Sequence, residues 1–197
     1  MPKSTFNNLP PEKQAHVRAV LLDIFYQKPV SQVKVSEIVA ALQMSRGIFY
    51  KYFEDLTEAY EYLIHYYAGQ IHGEIIASIM SYTGDYFKGI EKFLLLYIDL
   101  PANDPRQKQL ILLTQNSYLF SERALEDFHG LHKWQEILAN NHFMMDTEAE
   151  QISFLYFSMK LVIDSLTDML ANDWGKTELL QDFHFKTTWL LQGIKKV

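Results

Sequence analysis

The chain has 197 residues, a formal net charge of −6, a hydrophobic fraction of 48% and no cysteine. That much apolar material fills a core and excludes a disordered chain. The missing thiols exclude disulfides and thiolate metal sites, and no apolar run reaches the ~18 residues of a membrane span. The first residues show no signal-peptide pattern, so an intracellular, cytoplasmic protein is expected. The acidic balance argues against a generally basic nucleic-acid binder, but it is unevenly spread. Residues 1–60 carry 7 Lys/Arg against 6 Asp/Glu, and residues 61–197 carry 11 against 18. Phosphate binding depends on local positive charge, so the N-terminal part is free to meet DNA while neutralising few phosphates.

Residues 1–9 are polar and are expected to be loose. Pro10 and Pro11 suit the first turn of a helix, along which Val17, Val20, Leu21, Ile24 and Phe25 form an apolar stripe. Pro29 marks its end. In residues 34–53, Val35, Ile38, Val39 and Leu42 recur at helical spacing. Gln43 and Met44 then make a turn, and Ser45 is placed to cap a second short helix. Ile48, Phe49, Tyr52 and Phe53 are bulky there, with Phe49 and Phe53 as internal supports, while Arg46, Tyr50 and Lys51 remain for the outside. Two short helices about a tight turn form a helix-turn-helix.

The run Ser45-Arg46-Gly47-Ile48-Phe49-Tyr50-Lys51-Tyr52-Phe53, preceded by Val35-Ser36-Glu37-Ile38, resembles the DNA-binding signature of TetR/AcrR transcriptional regulators. The resemblance covers about the first 60 residues. It implies contacts to DNA from Lys34, Ser36, Ser45, Arg46, Gly47, Ile48, Tyr50 and Lys51, with Ser45 and Gly47 letting the helix start close to the duplex. The chain departs from the family pattern at four positions. Gln43 stands where the family usually has glycine, and so is less free to adopt a left-handed conformation. Lys34 replaces a capping threonine, Ile48 a threonine or serine, and Leu56 a lysine that would meet a phosphate.

From Glu54 the sequence reads as one helical body. A long helix to about Ser81 carries Tyr60, Leu63, Ile64, Tyr67, Ile71, Ile75 and Ile79 at 3–4 spacing. Gly69 and Gly73 within it are read as sites of bending or close packing. Gly84 breaks the pattern, and a helix through Phe87, Ile90, Phe93, Leu94, Tyr97 and Ile98 follows. Pro101 and Pro105 mark a loop, and further helices are expected over Leu110–Leu119 and from Ser121 through Leu138. The last two helices, about 147–171 and 174–195, are apolar on two sides. On the first, Phe154, Phe157, Leu161 and Ser165 make a second stripe; on the other, Phe185 and Trp189 lie off the main one. A helix apolar on two sides needs cover on two sides, so these residues are assigned to a homodimer interface, as the resemblance also implies.

The expected fold is all-α: a helix-turn-helix domain over residues 1–53 and a helical effector-binding and dimerisation domain over 54–197, with about nine helices in all. No cofactor, metal or enzymatic activity is expected. Glu126-x-x-His129, followed by His132, has the spacing of a di-iron ligand pair but lacks a second copy, and no phosphate loop, nucleophile elbow or HExxH is present. The chain has 13 Phe, 12 Tyr and 3 Trp, and the resemblance implies a pocket in the body for a small apolar or amphipathic effector. Tyr66, Phe93, Tyr97, Gln115, Asn116, Tyr118, Phe154 and Asp164 are its candidates by position. The expected function is a homodimeric regulator of transcription on a palindromic double-stranded operator, a repressor released by a small molecule. The alternative is a nucleoid-associated or protein-interaction factor controlled by a protein partner.

Overall fold

The computed structural model describes residues 1–101, 104–117 and 130–192. Among these residues there are ten α-helices and no strand: α1 (Ser4–Asn7), α2 (Pro11–Phe25), α3 (Val35–Ala41), α4 (Arg46–Tyr52), α5 (Leu56–Met80), α6 (Tyr86–Ile98), α7 (Pro105–Gln115), α8 (Leu131–Asn140), α9 (Glu148–Asn172) and α10 (Lys176–Gln192). A 3-10 turn at Val30–Gln32 precedes α3. Of the stretch expected as a helix from Ser121 through Leu138, the described residues hold α8, which starts at Leu131 after Gly130; Ser121, Leu125 and Phe128 lie outside the described residues. No helix among the described residues is long and apolar enough to cross a membrane.

The helices fall into two compact units. The first holds Met1–Gln70 together with α7; the second holds the rest of α5 from Ile71 with α6, α8, α9 and α10. In the first unit α2 packs on α3 and on α7, α3 on α4, and α1 on α4. Its core is Val17, Leu21, Leu22, Phe25, Ile38, Phe49, Phe53, Leu63 and Ile64, with Leu110, Leu112 and Leu113 of α7 also buried. Lys108 of α7 pairs with Asp23 at 2.5 Å and lies over the Tyr26 ring, tying α7 to α2.

Two expectations change in this unit. Residues 1–9 are not loose: α1 occupies them, and it is the helix beyond the nine expected. Phe6 is 0% exposed and meets the rings of Phe53, Tyr62 and Tyr52 at 5.1, 5.2 and 5.8 Å. Burying a phenylalanine contributes about 1.5–3 kcal/mol toward ordering a short segment that periodicity alone leaves uncommitted. Pro105, read as part of a loop, instead opens α7. Its missing N–H costs nothing in a first turn, and the Asp104 carboxylate accepts the Arg106 N–H at 2.9 Å and its guanidinium at 2.8 Å.

In the second unit the close approach of two helices depends on one glycine. A Cβ on Gly89 of α6 would lie 2.5 Å from the Ile79 Cα of α5 and 3.0 Å from the Ser78 carbonyl oxygen. The Ser78 hydroxyl donates to the Gly89 carbonyl at 2.8 Å. Gly69 and Gly73, the glycines expected to allow close packing, have nothing within 4 Å of a built Cβ. Gly84 takes the left-handed conformation, φ +84°, that the turn between α5 and α6 needs.

Tyr86, Trp134, Phe143 and Phe154 form an aromatic cluster in this unit, and the Trp134 indole donates to the Gln151 carbonyl at 2.7 Å. Burial pushes the Tyr86 hydroxyl above the ordinary tyrosine range. Glu91 of α6 accepts from Lys88 at 2.5 Å and faces His184 Nε2 of α10 at 2.8 Å. Burial pushes its carboxyl up, but these two contacts outweigh that and hold it below the usual carboxylate range. Thr147 and Glu150 close a capping box at the start of α9. Lys186 of α10 bridges Asp168 of α9 at 3.0 Å and Asp182 at 2.6 Å.

Candidate nucleic-acid interface

The geometry of residues 34–53 follows from backbone hydrogen bonding. Helix α3 ends in a Schellman turn: Met44 N–H donates to the Val39 carbonyl at 3.0 Å and Gln43 N–H to the Ala40 carbonyl at 3.2 Å. That turn needs a positive φ, and Gln43 supplies it at φ 50°, although a left-handed conformation costs a non-glycine residue about 1–2 kcal/mol. The chain therefore keeps the turn that the resemblance implies without the glycine that makes it easy. Ser45 caps α4, its side chain accepting from Ile48 N–H at 3.4 Å and its carbonyl from the same N–H at 3.0 Å. At the start of α3, Lys34 has no acceptor to offer, so only the reverse contact forms: Glu37 accepts Lys34 N–H at 3.1 Å. Glu37 is also paired with Lys28, which holds its carboxyl below the usual range.

Helix α4 is sharply two-faced. Phe49 is fully buried, as is Phe53 just beyond its end, and their rings lie 5.7 Å apart. Ser45, Arg46, Gly47, Ile48, Tyr50 and Lys51 are all exposed, as is Lys34, and Ser36 is half-buried. Of the cations in this unit, Lys3 pairs with Glu54, Lys28 with Glu37 and Lys108 with Asp23. Arg18 donates to Tyr62 and lies over the Tyr66 ring, 4.1 Å from its centre. Lys34, Arg46 and Lys51, like Lys13 of α2, form no ion pair among the described residues. The structure thus carries eight sequence-predicted residues on α3, α4 and the residues that flank their starts, with three cations among them that form no ion pair in the described residues. Sequence reasoning missed Lys3 and Phe6, which touch the far end of α4.

The effector candidates fall in both units. Tyr66 lies in the first unit, beside Tyr62 and Tyr67 and under Arg18. Phe93 and Tyr97 are buried neighbours on α6, ring centres 4.9 Å apart, and the Tyr97 hydroxyl donates to Glu74 at 3.4 Å. Gln115 is exposed, Asn116 buried, and Asp164 exposed on α9. Phe154 belongs to the aromatic cluster described above, and Tyr118 lies outside the described residues. An open cleft of about 180 Å³ in the second unit is lined by Ile79, Met80, Thr83, Glu136, Ile137, Asn140 and Asn141, none of them among these candidates. Glu126 and His129 also lie outside the described residues. The described residues contain no cluster of three metal-ligating side chains.

The dimer candidates divide as well. Phe157 is exposed on α9, and Phe185 and Trp189 are each 50% exposed on α10, their rings stacked with centres 6.4 Å apart. Leu190 and Leu191 add to the exposed apolar surface of α10. Phe154 is half-buried, and Leu161 is buried. Ser165 is 0% exposed; it faces the core of its own chain and has no surface to give a partner.

Two short helices about a tight turn, the second presenting Arg46 and Lys51 to solvent, form the helix-turn-helix plan of DNA-binding proteins. Residues 85–194 match the family described as tetracyclin repressor-like, C-terminal domain. The chain belongs to the TetR family of transcriptional regulators, whose members are non-enzymatic, DNA-binding and dimeric. Its fold is similar to a TetR-family transcriptional regulator from Pectobacterium atrosepticum, with a TM-score of 0.61 at 16% identity, covering 94% of this chain and 96% of that one. It is also similar to a TetR family transcriptional regulator from Chloroflexus aurantiacus J-10-fl, with a TM-score of 0.50 at 21% identity, covering 97% and 91%. A comparison with curated proteins found no match.

Proposed function

We propose that the protein is a cytoplasmic, homodimeric repressor that reads a palindromic operator with α4 and leaves it when a small molecule binds the body. The observation that carries this reading is the face of α4: Arg46, Tyr50 and Lys51 exposed, the two cations without an ion pair among the described residues, over a fully buried Phe49. Arginine recognises guanine edges and lysine phosphates or base edges, and exposed side chains on a helix supported from behind are held ready to do so. Lys34 and Ser36 reach the backbone of the same groove. The exposed apolar residues Phe157, Phe185 and Trp189 join two copies, so that two α4 helices address half-sites about 34–36 Å apart. The effector is apolar or amphipathic, with Phe93, Tyr97 and Asn116 the buried candidates of the second unit. It acts by binding the operator-incompetent conformation more tightly than the competent one.

The test is fluorescence anisotropy with a duplex selected by the protein from a random-sequence library, set against an unrelated duplex of equal length. The selected sequence should be an inverted repeat, bound more tightly than the unrelated duplex. Arg46→Ala should weaken selected binding by about tenfold to a hundredfold, the 1–3 kcal/mol of one good base contact. An unchanged affinity in Arg46→Ala, Tyr50→Phe and Lys51→Ala alike would defeat the reading.

A further inference from the structure

The last turn of α4, which carries Tyr50 and Lys51, is held from outside by α1. Lys3 reaches two of its final carbonyls: Lys3 N–H donates to the Tyr52 carbonyl at 2.9 Å, and the Lys3 ammonium donates to the Tyr50 carbonyl at 3.0 Å. The same ammonium pairs with Glu54, just past the helix, at 2.5 Å. Such carbonyls have no partner within their own helix, and a cation suits that end of the helix dipole. Three residues on, Phe6 is fully buried against Tyr52 of α4, Phe53 at its end and Tyr62 of α5. Seven residues are too few to hold a helix by themselves. Ser45 fixes where α4 begins; α1 fixes where it ends and ties that end to α5.

We propose that Lys3 and Phe6 are positioning residues for DNA reading, holding the last turn of α4 at the angle from which Tyr50 and Lys51 reach the groove. The proposal rests on the reading that α4 contacts DNA. Lys3 acts through α4 and not on a phosphate, since its ammonium is already engaged by a carbonyl and a carboxylate.

The experiment uses the full chain, the duplex selected by the wild-type protein, an unrelated duplex of equal length, and a salt series. Lys3→Met and Phe6→Ala should each lose about tenfold in affinity for the selected duplex, the scale of one impaired base contact. Both should keep wild-type affinity for the unrelated duplex, the wild-type salt slope and the wild-type helical circular dichroism. Phe6→Leu should recover most of the loss. Wild-type affinity in both variants overturns the proposal, as does an equal loss on both duplexes. A salt slope shallower by about one phosphate in Lys3→Met makes Lys3 a DNA contact and overturns it too. If Phe6→Ala loses helical structure, Lys3→Met decides alone. Arg46→Ala separates the two levels: weakened binding there with intact Lys3→Met and Phe6→Ala defeats only the positioning role. Unchanged binding in Arg46→Ala defeats the α4 reading and this proposal with it.

Discussion

Helix α4 turns Arg46, Tyr50 and Lys51 to solvent, whereas α10 turns Phe185, Trp189, Leu190 and Leu191. Charged groups are well hydrated in the free protein, so the face of α4 costs little to leave open. Contacts of such a face with phosphates exchange counterions and weaken steeply with salt. The face of α10 gains about 25 cal/mol for each Å² of apolar surface it covers, nearly independently of salt, and large exposed apolar patches mark places where proteins associate. On the proposed function, the first unit makes the reversible contact and the second the lasting one. A regulator needs both: a dimer that persists while its hold on DNA comes and goes.

The sharpest way to break this contrast is to make the two faces alike. Phe185→Asp combined with Trp189→Asp should give a monomer at micromolar concentration in sedimentation equilibrium, because carboxylates buried in an apolar contact cost several kcal/mol. With only one head per particle, affinity for the selected duplex should fall by about a hundredfold or more. A dimer of wild-type strength would show that α10 is not the lasting contact. Next in size is the scaffold beneath the apolar face. Gly89→Ala should destabilise the protein by about 3 kcal/mol in urea unfolding, because its Cβ meets the α5 backbone, which cannot swing aside as a side chain would. Gly73→Ala, with open space around it, should instead gain up to about 1 kcal/mol of helix propensity. Equal effects from the two would mean that α5 and α6 separate freely. The smallest change belongs to the first unit. Gln43→Gly should stabilise by about 1 kcal/mol, relieving the left-handed turn against some added freedom in the unfolded chain. A destabilised Gln43→Gly would mean that the glutamine side chain holds the turn by a contact of its own.

The helix-turn-helix was legible in the sequence because its determinants are local. The apolar spacing of Val35, Ile38 and Val39, the serine at the start of α4 and the buried Phe49 all lie within a few residues of the backbone they shape. What escaped was non-local. Helix α1 has one large apolar side chain, and its reason to fold, the rings of Tyr52, Phe53 and Tyr62, lies far along the chain. Periodicity likewise cannot tell which glycine meets a neighbouring helix, so Gly69 and Gly73 drew attention that belonged to Gly89. On α9 the two apolar stripes are adjacent around one helix and merge into a single buried face. Leu161 and Ser165 therefore went inward while Phe157 stayed out, and the sequence alone offered no means of separating them.

The place of α7 bears on how such a protein can be taken apart or recombined. The unit that carries α4 is discontinuous: the chain completes Met1–Gln70, passes through α6 in the other unit, and returns to add α7 against α2. A fragment cut after α4, or even within α5, would lack the wall that Leu110, Leu112 and Leu113 belong to and would leave Lys108's partner Asp23 without its cation. The helix-turn-helix is therefore not a cassette. Grafting it onto a foreign body requires carrying α7 along or rebuilding its surface on the new host, and chimeras joined at a single crossover should fold less well than those designed with three.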